Sequence, residues 1–314
     1  MRIFVAGATG AVGRSLVPRL VAKGHSVAGL TRSPAKSGFL RELGAEPVVA
    51  DALDRAAIHA AVVAARPDVI VHQLTDLKGA SDLRHFGRVF ANSNRLRMAG
   101  TNHLLAVAQD CRVKRIVAQS FCGWPYARVG GFVKTEDDPL DDDPPRELRG
   151  TLDAIRYLER AVTTTRGVTG VALRYGGFYG PGTGVFDPTM IAQIRRRLMP
   201  LIGGGSAWWS FLHIDDAAEA TVLAVERGEG IYNIVDDDPA PVHDWLTALA
   251  AMLGARPPFR IPAWLGRLAV GEHIVAMMTQ SRAGSNGKAR RELGWSPLHA
   301  SWRQGFAEII HDFG

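Results

Sequence analysis

Cysteine is nearly missing from this chain: Cys111 and Cys122 are the two present among 314 residues. Neither has metal-ligand spacing, and at most one bridge is possible, which excludes a disulfide-built scaffold. Buried or incidental thiols in a reducing compartment are the expectation. Long hydrophobic runs are also lacking, so no segment reaches the length of a membrane span. The N-terminus has no charged region leading to a cleavage site, and its apolar run reads as a first strand instead. A soluble, cytoplasmic protein with no membrane partner is expected. Blocks of like charge are absent too. Lys plus Arg number 37 against 31 Asp plus Glu, a formal charge of +6 spread along the chain. That pattern offers no nucleic-acid arm and leaves solvated surface and an anionic cofactor as its uses. No internal repeat or low-complexity segment occurs.

What the chain has is glycine, 34 residues of it, and 46% apolar content, enough for one large domain or a domain with a lobe. Residues 1–32 organise the reading. Ile3, Phe4 and Val5 form an apolar run without alternation, as in a strand buried on both faces. Gly7, Gly10 and Gly13 follow directly. Val12, Leu16 and Leu20 then recur at helical spacing up to Lys23, Gly24 stops the helix, and Val27–Leu30 is a second strand. Strand, glycine turn, helix and strand together make a dinucleotide site. Gly7 permits the turn, Gly10 lets backbone N–H groups reach a pyrophosphate, and Gly13 lets the helix pack close. Thr9, Ala11 and Val12 complete the cradle, and the helix dipole faces the phosphates.

Thr31 and Arg32 end the second strand, where an adenosine ribose would lie. With Lys36 and Arg14 nearby, and no acidic residue, they suit a 2′-phosphate, so NADP is favoured over NAD. Glu46–Asp51 reads as a third strand, Asp54 as the cap of a helix to Ala65, and Val69–His72 as a fourth strand leading to Gln73. A long helix is expected over Phe86–Cys111, a fifth strand over Ile116–Ala118 ending in Gln119 and Ser120, and a loop over 123–148. A helix over Thr151–Arg166 and a sixth strand, Val171–Leu173, follow. This alternation calls for an α/β fold, a Rossmann-type doubly wound parallel sheet. From Tyr175 the pattern changes. Helices are expected at 187–199, Asp215–Arg227, 242–253 and 263–280, with an apolar run Trp208–His213 and a strand Ile231–Val235. Residues 1–176 with 213–235 form the expected cofactor domain. Residues 177–212 and 236–314 form a smaller, mostly helical substrate lobe.

The series GATGAVG at 7–13, GTNHLL at 100–105, AQS at 118–120, LRYGGFYGPG at 173–182, FLHIDDAAEA at 211–220, YNIVDDDP at 232–239 and ELGWSP at 292–297 resembles an extended short-chain dehydrogenase/reductase of the NAD-dependent epimerase/dehydratase type. The resemblance covers nearly the whole chain. It implies an NAD(P)-dependent oxidoreductase or epimerase/dehydratase-like enzyme acting on a small-molecule metabolite. Asp51 and Ala52 would meet the adenine, Gln73 the ribose, and Tyr175, Gly177 and Phe178 the nicotinamide carboxamide. The helices at 86–111 and 151–166 would give a homodimer contact.

The resemblance breaks at the chemistry. Its pattern needs a Ser or Thr, a Tyr, and a Lys four residues after the Tyr, so that the phenol moves a proton and the Lys lowers its pKa. Ser120 fits the hydroxyl. No Tyr-x-x-x-Lys exists; aligned on Glu159, Thr151 replaces the Tyr and Ile155 the Lys, and Arg97 stands where an Asn is expected. This resembles atypical members of the superfamily. Tyr126, in a loop expected to roof the nicotinamide, is the preferred substitute donor, ahead of Tyr157 and Lys134, with water as the other route. Cys122 lacks a local His and reads as a small apolar residue. Tyr179, Trp208, Trp209 and Phe211 either wall a substrate pocket or pack between the lobes. His213, Asp215 and Asp216 invite a metal, but the resemblance implies that an Asp there anchors a helix start, so no metal is expected. A cofactor-binding sensor without turnover is the alternative function.

Overall fold

The computed structural model describes residues 1–77, 83–183 and 188–312. Seven strands form one parallel sheet: β1 (Arg2–Ala6), β2 (Ser26–Thr31), β3 (Glu46–Val49), β4 (Val69–His72), β5 (Arg115–Phe121), β6 (Thr169–Tyr175) and β7 (Gly230–Ile234). Their order is β7-β6-β5-β4-β1-β2-β3. The chain runs outward in both directions from the β1/β4 pair, where Val5 is in register with Val71. Beyond the C-terminal ends of these two strands lies the crevice such a sheet offers a ligand.

Helices cover both faces, which is why Ile3, Phe4 and Val5 are at most 1% exposed. On one face lie α1 (Ala11–Ala22) and the helix Ile214–Glu226. Leu16 and Leu20 share a core there with Ala217, Ala220 and Ala224. On the other face lie α2 (Arg55–Ala65), α3 (Thr101–Asp110) and α4 (Arg146–Thr164). Ile58, Leu104, Leu158 and Val162 pack there. Asp54 caps α2, accepting from the N–H groups of Ala56 and Ala57 at 3.0 Å. The helix Ile214–Glu226 is α5 below.

Several boundaries differ from the sequence reading. β3 stops at Val49, because Asp51 turns the chain by accepting from Leu53 N–H at 2.9 Å. The long helix before β5 is broken into Phe86–Val89, Ala91–Arg95 and a π-turn, Leu96–Gly100, before α3. Helix α4 starts at Arg146 rather than Thr151. The expected loop 123–148 contains a strand, Val133–Lys134, paired in parallel with Ala283–Gly284. In the lobe, the expected helix 263–280 is two, Ala263–Val270 and Glu272–Thr279. Gly271 divides them at φ +95°, where a Cβ would meet the His273 ring. Of the expected helix 187–199, Pro188–Arg195 is helical, and residue 187 lies outside the described residues. An unanticipated helix, Trp302–Asp312, closes the lobe. Its core joins Tyr179, Phe211, Trp245, Trp302 and Phe306. Ala289, Leu293 and Trp295, assigned from sequence to the lobe, pack instead in the α1/α5 core. No described helix is long and apolar enough to cross a membrane.

Candidate active site

The glycine turn is fixed by close backbone approach. Gly7 has φ +98°, and a Cβ there would lie 2.5 Å from the Gln73 carbonyl oxygen. A Cβ on Gly13 would lie 2.4 Å from the Gly7 carbonyl oxygen. Both positions therefore exclude every other residue, and α1 is drawn tight against β1 and β4. Gly10 is exposed and caps α1 without a side-chain bond, and no acidic residue stands in the first helical turn. The first backbone N–H groups of α1 thus have neither an intrahelical nor a side-chain acceptor. Thr9 and Ala11 flank them half-buried, and Val12 is buried. Open donors, a positive dipole end and no carboxylate fit a dinucleotide's diphosphate.

At the end of β2, buried Thr31 accepts from Ser33 N–H through Oγ1 at 3.2 Å, which directs the chain outward. Arg32 and Lys36 are exposed and pair with no carboxylate among the described residues. The Arg14 guanidinium lies 5.3 Å from the Phe39 ring centroid. Three cations, Arg14, Arg32 and Lys36, thus follow the glycine turn and the end of β2 along the chain. Asp51 is exposed and spends one carboxylate oxygen on its own turn. Ala52 is buried, and its carbonyl meets His103 Nδ1 at 3.0 Å.

Gln73 leaves β4 buried beneath the turn. Its Nε2 donates to Tyr175 Oη at 3.0 Å, while its Oε1 has no partner. Tyr175 is fully buried, and its hydroxyl also meets Thr221 Oγ1 at 2.6 Å. Burial pushes this phenol up to about 12. The Tyr175 side chain thus ties β4, β6 and α5 together from inside the core. Gly177 and Phe178 form a short strand beside Phe211–His213, with the Phe178 ring 5.3 Å from that of Tyr175.

The expected catalytic residues lie in one buried network. Ser120, 1% exposed, donates to Glu159 Oε1 at 2.6 Å. Arg174 holds the same carboxylate and donates through Nη1 to Tyr126 Oη at 2.9 Å. Tyr126 donates to Asn233 Oδ1 at 2.7 Å. Tyr126 is 0% exposed, and burial holds its phenol well above the ordinary range. The expectation that Tyr126 roofs the nicotinamide as a donor is thereby corrected. Arg174 and Asn233 draw the ring into the core, where its proton is already shared. Lys134 is 4% exposed and paired with Asp138 at 3.0 Å. Tyr157 donates to Asn102 across the α3/α4 seam. Cys122 is buried, and burial pushes its thiol up to about 12. Tyr179 and Phe211 belong to the lobe core, whereas Trp208 and Trp209 are half-buried.

Thr151 and Ile155 are both packed, at 3% and 1% exposure. Thr151 Oγ1 accepts from Asn94 Nδ2 at 3.0 Å. Asn94 in turn touches Arg97, whose Nη1 lies 3.5 Å from its Oδ1. Arg97 is 6% exposed, its Nε has no partner, and burial lowers its pKa to about 10. The sequence reading passed over Arg97 as a missing Asn. The signal available was a cation gained at 97 beside a cation lost at 155.

His213, Asp216 and His299 bring ligand atoms within 4.8 Å of one another. Asp216 and the Nδ1 atoms of both histidines are otherwise engaged. Asp216 accepts from the N–H groups of Leu298 at 2.7 Å and His299 at 3.0 Å. His213 Nδ1 accepts from Asp215 N–H at 3.2 Å, and its ring stacks on His299 at 3.7 Å. His213, not an Asp, therefore caps α5, and Asp216 anchors a segment 82 residues on. Asp215 bridges to α1 through Ser15 and Arg19.

Comparison with known proteins agrees with this geometry. The sequence model of the NAD dependent epimerase/dehydratase family matches residues 3–235. The chain is 42% identical over 308 residues to a 3-diazoavenalumate denitrifying reductase of Streptomyces sp, covering 97% of this chain and 99% of that one. It is 30% identical over 324 residues to a 4-hydroxy-2-methyl-3-oxo-4-farnesyl-3,4-dihydroquinoline-1-oxide ketoreductase of Stigmatella aurantiaca, covering 94% and 92%. The UDP-glucose 4-epimerase of Thermotoga maritima has the same fold, with a TM-score of 0.75 at 21% identity over 100% of this chain and 98% of that one. Family match, glycine cradle and sheet order together make this chain a member of the NAD dependent epimerase/dehydratase family, with the oxidoreductase or epimerase-like activity its relatives carry.

Proposed function

We propose that this chain is an NADPH-dependent reductase of an electron-poor aromatic substrate, of the diazo type named for its 42% identical relative. The observation that carries the reading is the contrast between the two halves of the crevice. The diphosphate cradle is complete, yet Thr151 and Ile155 are packed where a phenol and an ammonium would be needed, and Tyr126 is locked in the core. A carbonyl reduced by hydride becomes an alkoxide and calls for a proton. An aryl diazonium consumes none overall: hydride joins its terminal nitrogen to give an aryldiazene, whose N–H proton is lost as dinitrogen leaves while the ring carbon takes up one proton in exchange.

Bound in the cradle, the reduced nicotinamide supplies that hydride. The chain's own part is to bind and orient. The first N–H groups of α1 take the diphosphate, while Arg32, Arg14 and Lys36 take a 2′-phosphate. Gln73 Oε1 is a buried acceptor with no partner, suited to a ribose hydroxyl. Ser120, donating to Glu159, ties the end of β5 to α4.

The test is tryptophan fluorescence titrated with NADPH and NADH, followed by turnover of a diazotised aminophenol. Expected are tighter NADPH binding and one dinitrogen released per NADPH consumed. Bound NADPH that is never consumed by the diazotised arene would overturn the reading.

A further inference from the structure

The reductase reading leaves one charge unexplained. Arg97 is a fully formed guanidinium with five N–H donors. The hydrogen bond recorded for it, to Asn94 Oδ1, is 3.5 Å long, at the limit for such a bond. Nε is sequestered from water without an acceptor. Burying a cation this way is costly unless something pairs with it.

Its place is not accidental. Arg97 shares the buried face of its helix with Ser93, Leu96, Thr101 and Leu104, while neighbouring Arg95 and Met98 face solvent. Inside, it feels the charge of Glu159 and acts on His72, the last residue of β4. Asn94 links it to Thr151 on α4. Arg97 therefore lies beside the C-terminal end of β4, where His72 meets Thr101 one turn further along the helix, and is tied to the first half of α4, next to the crevice. Glu159 is already held through both oxygens by Arg174. Two buried cations around one buried carboxylate leave a positive charge over.

We propose that Arg97 receives a carboxylate of the substrate, making this a reductase of organic acid anions. The planar guanidinium edge matches a carboxylate in a way a lone ammonium does not. The proposal rests on the crevice being the reductase site. It adds what that site selects.

The experiment uses the full chain saturated with NADP⁺, with cinnamate and its neutral amide, cinnamamide, as probes in calorimetric titrations. Wild type is expected to bind cinnamate at least about tenfold more tightly than the amide. Arg97→Gln is expected to erase that preference, Arg97→Lys to keep part of it, and both to hold NADPH within about twofold of wild type. No preference in wild type, or an undiminished preference in Arg97→Gln, overturns the proposal. So does loss of NADPH affinity in a variant that melts like wild type, which would put the guanidinium on the cofactor. If wild type binds no NADPH, the reductase reading fails, and the same two probes on cofactor-free protein decide the Arg97 site alone. If Arg97→Gln does not fold, the Nε–H resonances of arginine-labelled wild type serve instead. One is expected to move on adding cinnamate and not cinnamamide, and none moving overturns the proposal.

Discussion

Arg174 and Glu159 meet edge to edge in the core, Nε to Oε1 at 2.7 Å and Nη2 to Oε2 at 2.8 Å, with side chains 4% and 5% exposed. Because Ser120 and Tyr126 hang on this pair, removing one member strands the other. Arg174→Met strips the buried Glu159 carboxylate of its ion-pair partner, a cost of about 3–5 kcal/mol. The double change Arg174→Met with Glu159→Met is expected to regain most of it. Urea unfolding of the three proteins checks this; a double variant no more stable than Arg174→Met would contradict it.

Gly10 tests the cradle with little risk to the fold. It is exposed, and a Cβ there would lie 3.3 Å from the Gly7 carbonyl oxygen, tight but not prohibitive. Gly10→Val is expected to screen the open N–H groups of α1 and weaken NADPH by at least about tenfold, or about 1.4 kcal/mol. Melting temperature should stay near wild type. Unchanged affinity in the fluorescence titration would remove the cradle from the account.

Arg32 bears on the choice between cofactors. As an exposed cation without a carboxylate partner, it contributes little to stability. Arg32→Glu should weaken NADPH by roughly tenfold or more while leaving NADH within about twofold, since only the former carries the 2′-phosphate. Parallel losses for both cofactors would show that the guanidinium reads something else.

His72 gives the fold an acid limit. Burial, with the Arg97 charge adding to it, lowers this ring from 6.5 to about 4. Between those values the unfolded chain takes up a proton that the folded chain refuses. Stability from this group is complete above pH 6.5 and declines as the pH falls to 4. At about 1.4 kcal/mol per unit the loss is on the order of 3 kcal/mol. Urea midpoints of wild type and His72→Asn at pH 7 and pH 5 should show a steeper fall in wild type.

Asp236 works in the opposite direction. Its Oδ2 accepts from Trp302 N–H at 2.9 Å, its Oδ1 has no partner, and burial pushes it from 3.8 up to about 8. The folded chain keeps a proton that the unfolded chain releases, so this group's contribution falls as the pH rises from about 4 to 8. Asp236→Asn removes the ionisation while keeping an acceptor for Trp302. The variant should melt above wild type at pH 8 and close to it at pH 5. A lower melting point at pH 8 would show that the carboxylate is charged and paired.

The cradle was legible because backbone geometry leaves glycine no substitute at positions 7 and 13, and strand, turn and helix are contiguous there. Tyr126 was misplaced because its partners are remote. Asn233 lies 107 residues on and Arg174 lies 48, and no local pattern shows a ring drawn inward by them. Arg97 escaped for a different reason. Helical spacing puts it on one face with Ser93 and Thr101, but those polar neighbours hide that the face is buried.

The pairing of Val133–Lys134 with Ala283–Gly284 sets an order of events during synthesis. The cradle has its packing partners once α5 has been made, so a nascent chain has its nucleotide grip before the C-terminal part of the lobe. The strand Val133–Lys134 has no edge to lie against until the last tenth of the polypeptide emerges. A chain stalled before residue 283 would thus display the grip without the wall beside it, and a protease should find that stretch first.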